Sequence, residues 1–178
     1  MELEKPTIYT WQFNQNYLRI LSLIEGIRRD AKFEPIDVHL ASEVYKKDKN
    51  NCQENDFILA QVEEKNNAYK GITYFKGGNH RIIANDISGS NIQYNILKAP
   101  EIIPSFSNMI NIHEDSTIYN YQNLPRNSFS YEKLLQKDTK YINILELKEY
   151  QPILERMETE SKMNVQDFKE LVRTHLDF

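Results

Sequence analysis

The sequence predicts an α+β fold: a small mixed sheet packed with helices, an N-terminal helix and a helical C-terminal extension. Apolar residues recur at helical spacing over residues 10–29, whereas residues 36–40 alternate apolar and polar as a half-buried strand does. The C-terminal part carries helix start and stop signals. The expected divisions are an N-terminal helix packing on the core in 1–30, the core in 31–100, and an irregular connection followed by helices in 101–178.

Length and composition exclude several classes of protein. The 178 residues suffice for one hydrophobic core, and no apolar run approaches the roughly 20 residues that cross a bilayer, so no membrane role is expected. A net charge of -4 lacks the basic excess of proteins that hold duplex DNA through its phosphates. Cys52 has no second cysteine to pair with, which predicts an inert surface thiol. The acidic N-terminus is not followed by an apolar signal segment, so a cytoplasmic protein is expected.

The core is expected to contain four strands and one short helix. After the strand at 36–40, residues 57–75 read as a hairpin with a polar tip. Apolar residues within 82–87 then indicate a short helix that ends at Gly89, because glycine readily adopts the left-handed conformation that follows many helices. Alternation over 92–97 predicts the fourth strand.

The C-terminal half is predicted to be irregular first and helical afterwards. Residues 105–127 carry few periodic signals, which indicates a long irregular connection. A helix is expected to begin one residue before Pro152, because proline suits the first turn of a helix. The last helix is expected at 165–176 with Asn164 as its N-cap. Residues 141–147 fit either a strand or a helix start.

The main functional signal lies in residues 74–84, which read as a strand end, a glycine turn and a helix start. Gly77 and Gly78 let the main chain turn tightly and approach a ligand without an intervening Cβ atom. The following helix offers N–H groups and a positive dipole end, which suit phosphate. The side chains expected to join them are those of Lys76, Asn79, His80 and Arg81. An ordinary tight turn with a capping Asn79 and solvated Lys and Arg side chains is the alternative interpretation.

Over residues 33–98, the order of these elements resembles the ParB/sulfiredoxin-like superfamily. In sulfiredoxins the corresponding turn reads Gly-Gly-Cys-His-Arg, and in ParB-like proteins Gly-x-Arg-Arg or Gly-x-His-Arg, in each case at a nucleotide phosphate site. Gly77, Gly78, His80 and Arg81 fit this pattern. The resemblance implies that this phosphate-binding loop holds ATP or CTP, with or without Mg²⁺.

One departure from the superfamily limits the expected chemistry. Asn79 stands where sulfiredoxins have the nucleophilic cysteine, and an amide cannot act as that nucleophile, so sulfinic acid reduction is not expected. The other activities that the resemblance implies need a carboxylate near the phosphates, to hold Mg²⁺ or to accept a proton. Glu43 is preferred over Asp37 and Asp86, because family members present a carboxylate after the first strand. Glu43 and His80 are therefore the predicted catalytic residues.

Two functions of different classes are compatible with the sequence. The first is a nucleotide- or phosphate-binding ParB-like protein, with nucleoside triphosphate hydrolysis, small-molecule kinase activity or nuclease activity as extensions. The second is a non-catalytic binding module of a mobile element that acts on nucleic acid, such as DNA, or on a protein partner. An abundance of Asn, Ile, Lys and Tyr, typical of an AT-rich genome, accords with the second. A homodimer is compatible with both.

Overall fold

The computed structural model describes residues 8–10, 12–40, 71–73, 78–96, 110–120, 135–136 and 141–178. Its strands are β1 Ile8–Thr10, β2 Asn14–Asn16, β3 Ile36–Leu40, β4 Gly71–Thr73, β5 Tyr94–Ile96, β6 Ile110–Asn111, β7 Thr117–Tyr119 and β8 Lys162–Asn164. Its α-helices are α1 Tyr17–Arg28, α2 Asn79–Ser88, α3 Ile112–Asp115, α4 Gln151–Glu160 and α5 Val165–His175, and a 3₁₀ helix, Lys148–Tyr150, precedes α4. The mixed α and β architecture that the sequence predicts is confirmed.

The described strands form two sheets, and Gly78 at the start of α2 lies against Ile36 of the larger one. Its order is β5-β3-β4-β1-β6, with β1 parallel to β4 and β3 antiparallel to β4. The C-terminal ends of β1 and β4 and the N-terminal end of β3 therefore lie at the same end of the sheet. The smaller sheet has the order β2-β7-β8, with β2 parallel to β7 and β7 antiparallel to β8.

One hydrophobic core joins the N-terminal, central and C-terminal parts of the described chain. Helices α1 and α2 pack against each other and bury Ile24 and Ile83 completely. Val38 of β3 and Phe168 of α5 belong to the same cluster of buried side chains. Burial of apolar area on this scale is the main force that stabilises a fold of this size, so the C-terminal helices contribute to the core that supports the turn.

The N-terminal helix is shorter than the sequence suggests. The predicted helix at 10–29 is wrong before Tyr17, because Thr10 ends β1, Asn14–Asn16 form β2 and α1 begins only at Tyr17. The side chain of Asn16 caps α1 by accepting hydrogen bonds from the N–H groups of Leu18 and Arg19. The two strands pair with β4 and β7, which are distant in sequence, so local periodicity does not reveal them.

Two further expectations are corrected in the C-terminal half. The connection predicted to be irregular at 105–127 contains β6, α3 and β7 within its described part, 110–120. These elements are two to four residues long, too short to produce a periodic signal. Residues 141–147 form neither a strand nor a helix, and the hydroxyl of Ser22 donates to the carbonyl of Ile142 at 2.8 Å.

The remaining boundaries agree closely with the sequence. Strand β3, the end of α2 at Gly89 with φ of 70°, and the start of α4 one residue before Pro152 are confirmed. Asn164 caps α5 as expected, and β5 lies within the predicted 92–97. Of the hairpin predicted at 57–75, only β4 belongs to the described residues, and the rest lies outside them.

Candidate anion-binding site

Helix α2 begins at a glycine that supplies no side-chain cap. Gly78 is the N-cap and has φ of 103°, a conformation that residues with a Cβ atom rarely adopt. A Cβ atom built on Gly78 would lie 3.1 Å from Cγ2 of Ile36, at the start of β3. No acidic residue occurs in the first turn of α2. The helix start therefore has neither a capping side chain on Gly78 nor a carboxylate in its first turn to offset its positive dipole end.

The guanidinium of Arg81 lies beside this turn. Its Nη1 donates to the main-chain carbonyl of Glu34 at 2.7 Å, and its Nη2 lies 3.5 Å from the Cβ position on Gly78. A guanidinium has five N–H donors, and the bond to one carbonyl uses one of them. Arg81 adds a positive charge to the positive end of the helix dipole, so the positive potential at the start of α2 increases and an anion is favoured there.

The imidazole of His80 is buried and neutral. The residue is 8% exposed, and the Nε2 of its side chain accepts a hydrogen bond from the main-chain N–H of Asn16 at 3.0 Å. Burial and, to a smaller extent, the positive charge of Arg19 together lower the pKa of His80 to about 3. The sequence allowed His80 to be a cationic ligand or a hydrogen-bonding ligand, and in this environment it has no positive charge at neutral pH.

Three carboxamide side chains form a chain of hydrogen bonds at the start of α2. Nδ2 of Asn79 donates to Oε1 of Gln12 at 3.2 Å, and Nε2 of Gln12 donates to Oε1 of Gln15 at 2.6 Å. Nε2 of Gln15 donates to the main-chain carbonyl of Gln12 at 2.8 Å. That carbonyl can only accept, so the bond fixes the orientation of all three amides. Asn79 is thereby held against the N-terminal segment of the chain.

The start of α1 lies next to the start of α2. Asn16 caps α1 with its side chain and contacts His80 with its main-chain N–H, which joins the two helix starts directly. The first turn of α1 also contains no acidic residue, and its third residue is Arg19, which lies 5.8 Å over the ring of Tyr141. Two positive helix ends and two arginines therefore share one region of the molecule, which suits an anionic ligand.

The candidate carboxylates do not meet at this site within the described residues. Asp86 lies in the last turn of α2, about 10 Å along the helix axis from its start, and pairs with Lys169 at 3.3 Å. Asp37 is exposed and follows Ile36 on β3, so its side chain projects from the opposite face of the strand. Three other predicted site residues, Lys76, Gly77 and Glu43, lie outside the described residues.

Several residues at the site were not predicted from the sequence. Asn16 could have been found, because an asparagine directly before an apolar helical pattern is a typical N-cap. Gln12, Gln15 and Arg19 had no local signal, since they reach the start of α2 only through the pairing of β1 with β4 and the packing of α1 on α2.

Protein-family models, curated proteins and solved structures were all compared with this chain, and none matched it. The resemblance to the ParB/sulfiredoxin-like superfamily therefore stays a prediction. Within the part of the chain that the structure describes, no helix has the length and apolar character to cross a membrane. No group of three or more His, Cys, Asp and Glu side chains among these same residues is arranged to hold a metal ion.

Proposed function

We propose that the chain is a nucleotide- or phosphate-binding protein and that the start of α2 holds the phosphate. The observation that carries this proposal is the combination of an N-cap glycine, Gly78, with the guanidinium of Arg81 beside it. N–H groups at a helix start and a cation at the same point are the two features by which proteins commonly hold phosphate. ATP and CTP, each with or without Mg²⁺, are the ligands to test first.

The contacts expected with the phosphate differ in kind. Arg81 supplies the positive charge, and its bond to the Glu34 carbonyl holds the guanidinium close to the turn. The main-chain N–H groups of the first turn supply oriented dipoles. His80 contributes a neutral hydrogen-bonding group, because its pKa of about 3 keeps the ring uncharged. Lys76 and Gly77 directly precede Gly78 in the sequence and are expected to complete the proposed loop.

The first experiment replaces Arg81 by methionine, which keeps side-chain length and removes the charge. We expect Arg81→Met to weaken the binding of ATP or CTP by about tenfold to a hundredfold, because charge-assisted hydrogen bonds contribute about 1.5 to 3 kcal/mol. Isothermal titration calorimetry gives the affinity directly. The matched control is Arg173→Met, since Arg173 also donates to main-chain carbonyls of α2, but at its other end.

Two results contradict the proposal. One is a wild-type protein whose unfolding temperature does not rise with phosphate, ATP or CTP, with or without Mg²⁺, because a ligand that binds the folded state stabilises it. The other is equal nucleotide affinity in the wild type and in Arg81→Met. A loss in Arg173→Met as large as the loss in Arg81→Met indicates a general structural effect and also counts against the site.

Turnover is an extension of this proposal and depends on Glu43. Hydrolysis of a nucleoside triphosphate, phosphoryl transfer to a small hydroxyl compound and nuclease cleavage all need a carboxylate at the phosphates. We expect Glu43→Gln to abolish whichever of these activities the wild type shows and to leave nucleotide affinity nearly unchanged. Unchanged turnover in Glu43→Gln removes this residue from the mechanism.

An exposed aromatic residue favours a binding module as the second candidate function. Phe13 is 46% exposed and follows Gln12, whose side chain contacts the start of α2. Exposed aromatics beside positive charge are typical of sites that stack single-stranded nucleic acid. This alternative predicts no nucleotide affinity, binding of labelled single-stranded DNA or RNA that weakens as salt rises, and a loss of that binding in Phe13→Ala.

A further inference from the structure

The hydrogen bond between Asn16 and His80 determines where the imidazole carries its proton. A main-chain N–H can only donate, so Nε2 of His80 must be unprotonated to accept from it at 3.0 Å. A neutral imidazole then carries its proton on Nδ1. Nδ1 is bonded to Cγ and therefore lies on the side of the ring nearer the main chain of α2. Among the described residues, the bond from Asn16 is the one hydrogen bond that the imidazole of His80 makes.

The surroundings of His80 keep the ring uncharged. The side chain is more than nine-tenths buried, and Arg19 of α1 is the charged group whose field acts on it. Strand β2 contributes Asn14, Gln15 and Asn16, none of which titrates. On the other two helices packed on α2, Lys169 and Arg173 of α5 contact the last turn of α2. Glu114 and Asp115 of α3 are exposed.

We propose that the main-chain N–H of Asn16 is a positioning group that holds His80 as the Nδ1–H tautomer, so that the ring donates a neutral hydrogen bond to the bound anion. This inference rests on the proposed function. It assigns a role to Asn16, which lies outside residues 33–98, the range over which the sequence resembles the superfamily. The affinity of the site for the anion then stays constant over the pH range in which histidines ordinarily titrate. A site that contains a cationic histidine instead loses affinity for the anion as pH rises through the pKa of that histidine.

The same residue links α1 to the site. Oδ1 of Asn16 accepts from the N–H groups of Leu18 and Arg19, while its own N–H holds His80. The side chain and the main chain of Asn16 therefore serve two different helices, and substitutions can separate the two roles. Asn16→Ala removes the cap and keeps the N–H group. Asn16→Pro removes both, and φ of -88° at this residue lies near the range of proline.

The first test observes the tautomer without any ligand. In ¹⁵N-edited NMR spectra recorded between about pH 5.5 and pH 8, we expect Nδ1 of His80 to be protonated and Nε2 to be unprotonated throughout. Asn16→Ala should keep this pattern, whereas Asn16→Pro should lose the fixed tautomer. A proton on Nε2 in the wild type, titration of the ring near its ordinary pKa of about 6.5, or an unchanged tautomer in Asn16→Pro overturns the inference.

The second test uses sulfate as the probe, because its charge is constant over this pH range while phosphate esters titrate near pH 6. We expect wild-type affinity for sulfate to vary by less than about twofold across the range. His80→Gln places an amide oxygen near the position of Nε2 and keeps the acceptor but not the Nδ1 donor, so affinity should fall about tenfold. His80→Asn keeps a donor near Nδ1 and should lose less.

The outcomes distinguish this inference from the proposed function. Two results show that the neutral donor is not used. One is a His80→Gln variant that binds sulfate as tightly as the wild type, and the other is a wild type whose affinity for sulfate rises tenfold as pH falls across the range. Absence of binding of sulfate, phosphate and nucleotide overturns the proposed function and the ligand-binding role of His80 together. In that case the NMR spectra still decide whether Asn16 fixes the tautomer.

Discussion

The starts of α2 and α5 show two ways of dealing with the unpaired N–H groups of a helix. At the start of α5, Asn164 accepts from the N–H of Asp167 at 2.8 Å and donates to the Asp167 carboxylate at 3.0 Å. Asp167 also places a negative charge in the first turn, as the dipole favours. At the start of α2, Gly78 supplies no cap and Arg81 places a positive charge in the first turn. The cap and the carboxylate stabilise the start of α5, whereas the start of α2 has neither, which supports the proposal that an anion binds there.

The two helices differ again at their ends. Helix α5 has Arg173 and His175 in its own last turn, whereas α2 has no basic residue there. Arg173 of α5 donates from Nε to the carbonyl of Ile87 at 2.9 Å and from Nη2 to that of Asp86 at 3.2 Å. The negative end of α2 is therefore stabilised by a neighbouring helix, while its positive end has Arg81 beside it. This contrast gives three predictions, from the largest expected effect to the smallest.

The largest effect is expected from His80, in the first turn of α2. Folding lowers its pKa from 6.5 to about 3, so below pH 6.5 the unfolded chain binds a proton that the folded protein does not. This contribution to stability is complete above pH 6.5 and is lost as pH falls towards 3. By pH 4.5 the loss amounts to about 2 to 3 kcal/mol, and His80→Gln should remove it from the pH dependence.

Urea unfolding at a series of pH values between about 4.5 and 7.5 measures this effect. The matched control is His175→Gln, because His175 is exposed in the last turn of α5. Its slope of stability against pH is the reference with which the slope of His80→Gln is compared. A slope in His80→Gln equal to that of the wild type means that His80 takes up its proton as readily in the folded protein as in the unfolded chain.

The next effect compares the two glycines that flank α2. Gly78→Ala should lower the free energy of unfolding by about 2 kcal/mol, because φ of 103° is strained for alanine and the new Cβ atom would lie 3.1 Å from the Ile36 side chain. Gly89→Ala should cost about 1 kcal/mol, because φ of 70° is also unfavourable but the nearest atom lies at 3.9 Å. Equal losses in urea unfolding would show that the contact with Ile36 contributes nothing.

The smallest effect concerns the cap of α5. Asn164→Ala should destabilise the protein by about 1 kcal/mol, because it leaves the N–H of Asp167 without its acceptor. Asn164→Asp retains an acceptor oxygen and should recover most of the loss, although two carboxylates then lie close together. Thermal unfolding at fixed pH distinguishes the two variants. If alanine is as stable as asparagine at this position, α5 does not depend on its own cap.

The sequence was sufficient where a structural feature depends on neighbouring residues. Asn164 before the apolar pattern of α5, Pro152 in the first turn of α4 and Gly89 after α2 all act through main-chain conformation or a hydrogen bond within one turn. The alternation of Ile36–Leu40 likewise marked β3, because one side of a half-buried strand must be apolar. Such features leave a signal over a few consecutive residues, and a single sequence can be read for them.

Tertiary structure alone decided which groups meet at the start of α2. Asn16 and His80 are 64 residues apart, and Gln12 and Asn79 are 67 residues apart. These contacts exist because β1 pairs with β4 and α1 packs on α2, so the glycine turn gained Asn16, Gln12 and a buried, neutral imidazole. The sequence by itself determined that a glycine turn and Arg81 begin this helix. The fold determined the protonation state of its histidine, because burial and long-range contacts set the pKa of a side chain.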